Sequence, residues 1–202
     1  MNRNYFLITL MIFVISFAHA EAGSWFQSSE RKTHGHEGSS SGATASNAFI
    51  QGANGIYTIY YDKNAWDIHN DRSSLDEKVN LTLDHKKGDA FAVATYEHII
   101  MPLGSLKEMA LSKFIDTTPP GKIVDEGVMT VNGEKVLMLK MIGFDKEDPV
   151  TYYGYYAAGQ WGTLEFVTYT GTSLFGDYEK DFTQLLNGLV INNQPGNATS
   201  TI

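Results

Sequence analysis

The sequence predicts an α+β domain, a mostly antiparallel β-sheet with helices laid against its faces, and three observations carry that prediction. Turn signals fall at regular intervals between runs of strand-forming residues: Lys87-Gly88, Pro119-Pro120-Gly121, Asn132-Gly133, Asp145 to Pro149 and Gly159-Gln160. Two stretches space their apolar residues at three and four, the signature of a helix with one buried stripe. The order hairpin, helix, two hairpins, helix leaves few parallel crossovers, and no internal repeat competes with a single-domain reading.

The ends of the chain read differently from its middle. Arg3, the apolar run Tyr5 to Phe17 and the small residues Ala18 and Ala20 make residues 1–20 a secretory signal peptide. Residues 21–48 form a flexible linker, because Ser28 to Asn47 holds almost no apolar side chain to offset its ordering entropy. The domain spans residues 49–192, a length at which about two-thirds of the unfolded surface is buried, and residues 193–202 are a disordered tail. The expected location is outside the cytoplasm, periplasmic or secreted.

Composition narrows the partners. The chain has no cysteine, so neither disulfides nor a lipidated cysteine supports it, and its stability rests on an ordinary core. Fifteen Lys and Arg against 23 Asp and Glu give a formal charge of −8, made more negative when Arg3 leaves with the leader. Such a chain repels phosphate backbones, which argues against nucleic acid and anionic membranes. No segment after the leader approaches a membrane span of roughly 20 apolar residues.

Within the domain, the run from Val128 to Phe144 predicts a hairpin whose Asn132-Gly133 supplies the positive φ pair of a type I′ turn. Leu137, Leu139 and Met141 point one way and Val136, Met138 and Ile142 the other, so this strand is covered on both faces and central. Ala90, Ala92 and Ala94 share a strand face small enough for a helix to lie close. Val79, Leu81 and Leu83 alternate with Asn80, Thr82 and Asp84, the pattern of a strand with one wet side.

The first helix is expected over Ser105 to Ile115, opened by a capping box between Ser105 and Glu108, with Leu106, Met109, Ala110 and Phe114 buried. The second carries Phe175, Tyr178, Phe182, Leu185, Leu186 and Leu189 on one face and lies across the sheet, with Thr172 or Ser173 as its N-cap.

Between them, Thr151 to Gly171 holds five tyrosines, a tryptophan and a phenylalanine. As a hairpin it sends Tyr153, Tyr155 and Ala157 to one side and Tyr152, Tyr156 and Ala158 to the other. A stacking platform needs its rings on one solvent-facing side, so core and cross-strand packing is the better reading. Trp161, beside the Gly159-Gln160 turn, is the leading candidate for a partner contact, with Tyr153 and Tyr155 behind it.

Signals for chemistry are thin. Gly171 to Gly176 follows a strand and opens a helix around Ser173, but its second glycine falls one place late for a nucleophile elbow, and every histidine precedes the serine. His34 and His36 are metal-capable but sit in the linker without a rigid second layer of ligands. His69, His85 and His98 are scattered, and Asp145 to Pro149 is better read as a solvated hairpin tip than as an ion site. The expectation is no catalytic residue, no cofactor and no metal.

The order of these features resembles the PsbP-like superfamily, which takes in the photosystem II extrinsic protein, a Ran-binding import factor and DcrB-like exported bacterial proteins. The residues that carry the resemblance are Gly55 to Tyr61 leading to Trp66, Asp89 to Tyr96, the Val131 to Lys135 turn, the Tyr152 to Tyr169 hairpin and Phe175 to Val190. Asp62 to Ala65 departs from the proline and glycine that often precede the first tryptophan in related chains. The resemblance implies an α/β/α sandwich without catalytic residues, used as an adaptor or accessory subunit. The function expected is therefore an exported, non-enzymatic binding or accessory protein for another exported protein or a small ligand. The alternatives are a hydrolytic or metal-dependent envelope enzyme and a structural envelope-stress protein.

Overall fold

The computed structural model describes residues 47–69 and 79–192. The expected leader, nearly all of the expected linker with His34 and His36, and the expected tail lie outside the described residues.

Strand-forming runs and turns build two antiparallel sheets. The larger runs β3 (Trp66–His69), β4 (Val79–His85), β5 (Ala90–Glu97), β9 (Gly162–Gly171), β8 (Asp148–Gly159), β7 (Glu134–Asp145), β6 (Lys122–Val131), with β3 and β6 at its edges. The smaller is β1 (Ala48–Gly52), β2 (Tyr57–Tyr61) and β10 (Leu189–Ile191), in that order. Helix α1 (Leu103–Thr117) lies over β7 and β8 on one face of the large sheet. Helix α2 (Phe175–Asn187) lies over β8 and β9 on the other face and also meets β2.

Two apolar clusters follow from this layering. On the α2 side, Tyr57, Ile59, Trp66, Leu81, Leu83, Ala90, Ala92, Ala94, Tyr155, Leu164 and Phe166 pack against Phe175, Tyr178, Phe182, Leu185 and Leu186. On the α1 side, Leu137, Leu139, Met141, Tyr152 and Tyr156 pack against Leu106, Ala110 and Phe114. The three alanines of β5 fall inside the α2-side cluster, as their size predicts. The result is an α/β/α sandwich.

The Asn132-Gly133 turn forms as read, with φ of 47° and 88°. It also does something that turn chemistry alone does not require: Asn132 Nδ2 donates to the carbonyls of Asn187 and Leu189, at 2.8 Å each. These bonds tie the β6–β7 hairpin to the end of α2. Just beyond, Gly188 sits where an added Cβ would lie 1.9 Å from the Tyr60 carbonyl oxygen, so only glycine lets β2 approach the helix end.

Four expectations are corrected. α1 begins at Leu103 with Pro102 as N-cap at φ −64°, ψ 150°, and no side chain caps it, so the Ser105–Glu108 box does not form. Proline's ring holds this extended geometry in advance, the Leu106 amide donates to the Pro102 carbonyl at 3.1 Å, and Ser105 is left inside the first turn. The N-cap of α2 is Leu174 after a 3-10 turn over Thr172–Leu174, because the Thr172 hydroxyl is engaged by Thr151 Oγ1 at 3.0 Å. Leu189 lies past the helix, in β10. The strand β7 is paired on both sides but stands next to the edge rather than at the centre.

Candidate partner-binding surface

The aromatic hairpin β8–β9 divides its rings between the two faces. Tyr155 is fully buried beneath α2 and donates to Asn187 Oδ1 at 2.9 Å. Tyr153, half-buried, meets Tyr155 and Phe175 edge-on. On the α1 side, Phe114 stands edge-on to Tyr152, which leans on Tyr169, which stacks on Phe91. Burial pushes the Tyr152 phenol up to about 12, and those of Tyr155, Tyr156 and Tyr169 further.

Trp161 does not stand free at its turn. Its half-buried ring folds over Gly159, whose added Cβ would lie 2.5 Å from the indole nitrogen, and it stacks near Tyr96 with centroids 6.5 Å apart. The Tyr96 hydroxyl donates to the Trp161 carbonyl at 2.6 Å. Tyr153 pairs with Thr168 and Gly159 with Gly162 in the same ladder, which sets Trp161 about 20 Å along the hairpin from Tyr153. Tyr153 and Tyr155 therefore come together and Trp161 does not join them.

The groups considered for chemistry are also dispersed. Ser173 is exposed in the 3-10 turn. His69 pairs with Asp84 at 3.5 Å, His98 meets the Tyr96 hydroxyl at 3.1 Å, and His85 is held by Asp181. Asp145 and Asp148 face each other across the β7–β8 turn, with Lys146 and Glu147 exposed at its tip. Among the described residues, no group of three or more His, Cys, Asp or Glu is placed to hold a metal ion.

The surface that stands out is the outer edge of β6, which holds none of the site residues expected from the sequence. Nine of its ten residues escape full burial, and Ile123, Val124 and Val128 expose 42%, 49% and 56% of their surface. Cross-strand partners share a face, so Ile123 opposite Met141, Glu126 opposite Leu139 and Val128 opposite Leu137 lie on the α1 side. Val124 falls in the register shift between Ile123 and Asp125, a bulge that bends the edge near one end. Lys107 of α1 reaches Glu126 at 2.8 Å, which places the helix flank beside the strand, and Ile115 near the end of that helix is 54% exposed.

The apolar residues of β6 were visible in the sequence. What was not visible is that among the described residues no strand pairs beyond them, because that depends on sheet order, which is settled by contacts distant in sequence.

Among the described residues no helix is long and apolar enough to cross a membrane. In comparisons with known proteins, no protein-family model and no curated protein matches the chain. Solved structures do match. The solution structure of cyanobacterial PsbP (CyanoP) from Synechocystis sp. PCC 6803 aligns with a TM-score of 0.54 at 12% identity, over 76% of this chain and 98% of that one. A crystal structure from Bacteroides thetaiotaomicron VPI-5482 aligns with a TM-score of 0.52 at 7% identity, over 73% of this chain and 49% of that one.

The layers and the two flanking helices define an α+β protein of the α/β/α sandwich class. Within that class the fold is PsbP-like, as the resemblance in sequence order implied. At these identities the likeness is one of fold.

Proposed function

We propose that the chain is an exported, non-enzymatic binding or accessory protein that takes hold of another protein along the free edge of β6. The observation that carries this reading is the row Ile123, Val124 and Val128, left exposed on a ten-residue edge strand. An edge strand presents unpaired N–H and C=O groups, and an extended partner segment satisfies them while its alternate side chains rest on the exposed apolar ones. Asp125 and Glu126 in the middle of the strand disfavour antiparallel pairing of two copies centred there, since like charges would meet. They favour a partner segment with a basic side chain at that point. Trp161 and Tyr153 keep partly exposed rings and are secondary contacts; Tyr155 supports the hairpin from within.

The test is a photo-reactive residue placed at position 128 in the protein produced with its own leader. One defined protein adduct in the exported fraction is expected, and adding Ile123→Lys to that probe protein should abolish capture while changing stability by no more than about 0.5 kcal/mol. Adducts at position 161 but not at 128 would move the surface to the hairpin tip, and no adduct at either position would end the reading.

A further inference from the structure

We infer that His85 is a proton-operated latch: protonation of its imidazole releases the β4–β5 turn from α2 and uncovers Trp66.

The alternation of β4 sends Leu81, Leu83 and His85 to the same face, so the last residue of the strand delivers an imidazole into the core. Its side chain is 1% exposed. The Lys87 amide donates to Nδ1 at 3.2 Å, which makes Nδ1 an acceptor and puts the single ring proton on Nε2, facing Asp181 Oδ2 at 3.1 Å. Trp66 and Tyr178 stand edge-on to the ring, with centroids 4.9 Å and 5.0 Å away. The Tyr178 hydroxyl donates to the Gly88 carbonyl and Lys87 Nζ lies 3.7 Å from Asp181 Oδ2, so α2 grips the turn at three places around one imidazole.

That arrangement accepts only the neutral ring. A second proton must go on Nδ1, where it would face the Lys87 N–H, donor against donor, and one of the two has to move. The Lys87 amide belongs to the four-residue turn between β4 and β5, whose reversal is carried by Gly88 and Asp89 at φ of 88° and 57°. The core side of the ring is closed by Trp66 and Tyr178, both of which are backed by Phe182. The turn is therefore the part that yields; its Lys86 amide donates to the Ala65 carbonyl at 2.8 Å, so its departure frees one wall of the shallow pocket lined by Asp62, Ala65, Trp66, Asp181, Gln184 and Leu185.

The charged neighbours pull in opposite directions. From α2, Asp181 favours the imidazolium, and from the turn Lys87 opposes it; Asp177 and Asp89 act on the neighbouring Tyr178, and Asp62 lies beside Asp181 from the end of β2. Burial is the largest influence and holds the imidazole below its ordinary 6.5. A histidine whose folded value is depressed stabilises nothing by protonation. Its latch is fully closed above about pH 6.5, and as pH falls from there to the lowered folded value the open form gains about tenfold per pH unit, levelling off below it.

Amide exchange and imidazole nitrogen shifts, followed by NMR from neutral to acid on the whole protein, test this. Corrected for intrinsic rates, exchange at Lys87 and Gly88 should rise about tenfold per unit through that window while β7 and β8 amides stay protected. In His85→Asn, whose side-chain oxygen can accept from Lys87 but does not titrate, the rise should vanish. In Asp181→Asn, which keeps an acceptor but loses the charge that favours the imidazolium, it should begin at the same pH and continue to lower pH before levelling off. Should either variant fail to fold, the wild-type titration decides alone: a turn whose exchange is flat while His85 titrates, or one that opens with His85 still neutral, overturns the latch.

Discussion

At the scale of single residues, two fully buried tyrosines make opposite use of the same hydroxyl. Tyr155 donates to Asn187, which itself receives Asn132 at its carbonyl, so one phenol helps to fix where the hairpin, α2 and β10 meet. The Tyr57 hydroxyl has no hydrogen-bond partner among the described residues, and its ring end lies against Gly52, where an added Cβ would fall 2.0 Å from Cζ. A buried polar group without a partner carries its desolvation cost uncompensated, whereas removing one partner of a made bond strands the other. Tyr155→Phe should therefore lower stability by about 1–2 kcal/mol, and Tyr57→Phe should leave it unchanged or raise it. Denaturant unfolding of the two variants measures the contrast, and equal losses would show that Tyr57 is held by a bond of its own.

At the scale of elements, the sequence made the strands and the apolar stripe of each helix legible, because periodicity records which face is buried. It misplaced the helix ends, where competition is local and fine. Ser105 and Glu108 have the spacing of a capping box, yet Pro102 three residues before Ser105 already offers the extended backbone a helix start requires. At the other helix, Thr172 was free in the sequence to cap but in the fold meets Thr151 across the sheet. Ser105→Ala provides a direct check. A working cap lost to alanine costs about 1 kcal/mol, whereas a serine inside the first turn is replaced by a better helix former. Thermal unfolding of Ser105→Ala should show no loss beyond about 0.5 kcal/mol, and a drop of the full capping magnitude would restore the box. The edge position of β6 is likewise not written in its own residues. Its residues read as half of a good hairpin, and only the seven-strand order shows that its other side has no neighbour strand among the described residues.

At the scale of the whole molecule, the contacts that define function candidates join residues far apart in the chain. His85 and Asp181 are separated by 96 positions, so the sequence showed a scattered histidine where the fold shows a buried one. The signal that could have found it was the Leu81, Leu83, His85 alternation, which already pointed the ring inward. The tyrosines provide a measure of the assembled core as a unit. Tyr57, Tyr152, Tyr155, Tyr156 and Tyr169 come from three strands and both sides of the large sheet, and burial raises every one of their phenols above the ordinary 10.0. In the unfolded chain these groups ionise near 10, while in the fold they stay protonated to higher pH. Their contribution to stability is complete below pH 10 and declines as pH rises above it, since only the unfolded state releases those protons. A jump from neutral to strongly alkaline buffer should then give two phases of phenolate absorbance. A fast phase reports accessible rings, and a slow one, equal in rate to the loss of circular dichroism, reports the five buried rings being freed together. If all the phenols ionised in the fast phase while the circular dichroism held, the rings would be reachable by hydroxide in the native state. The hairpin would then be an open aromatic surface and not the interior of a sandwich.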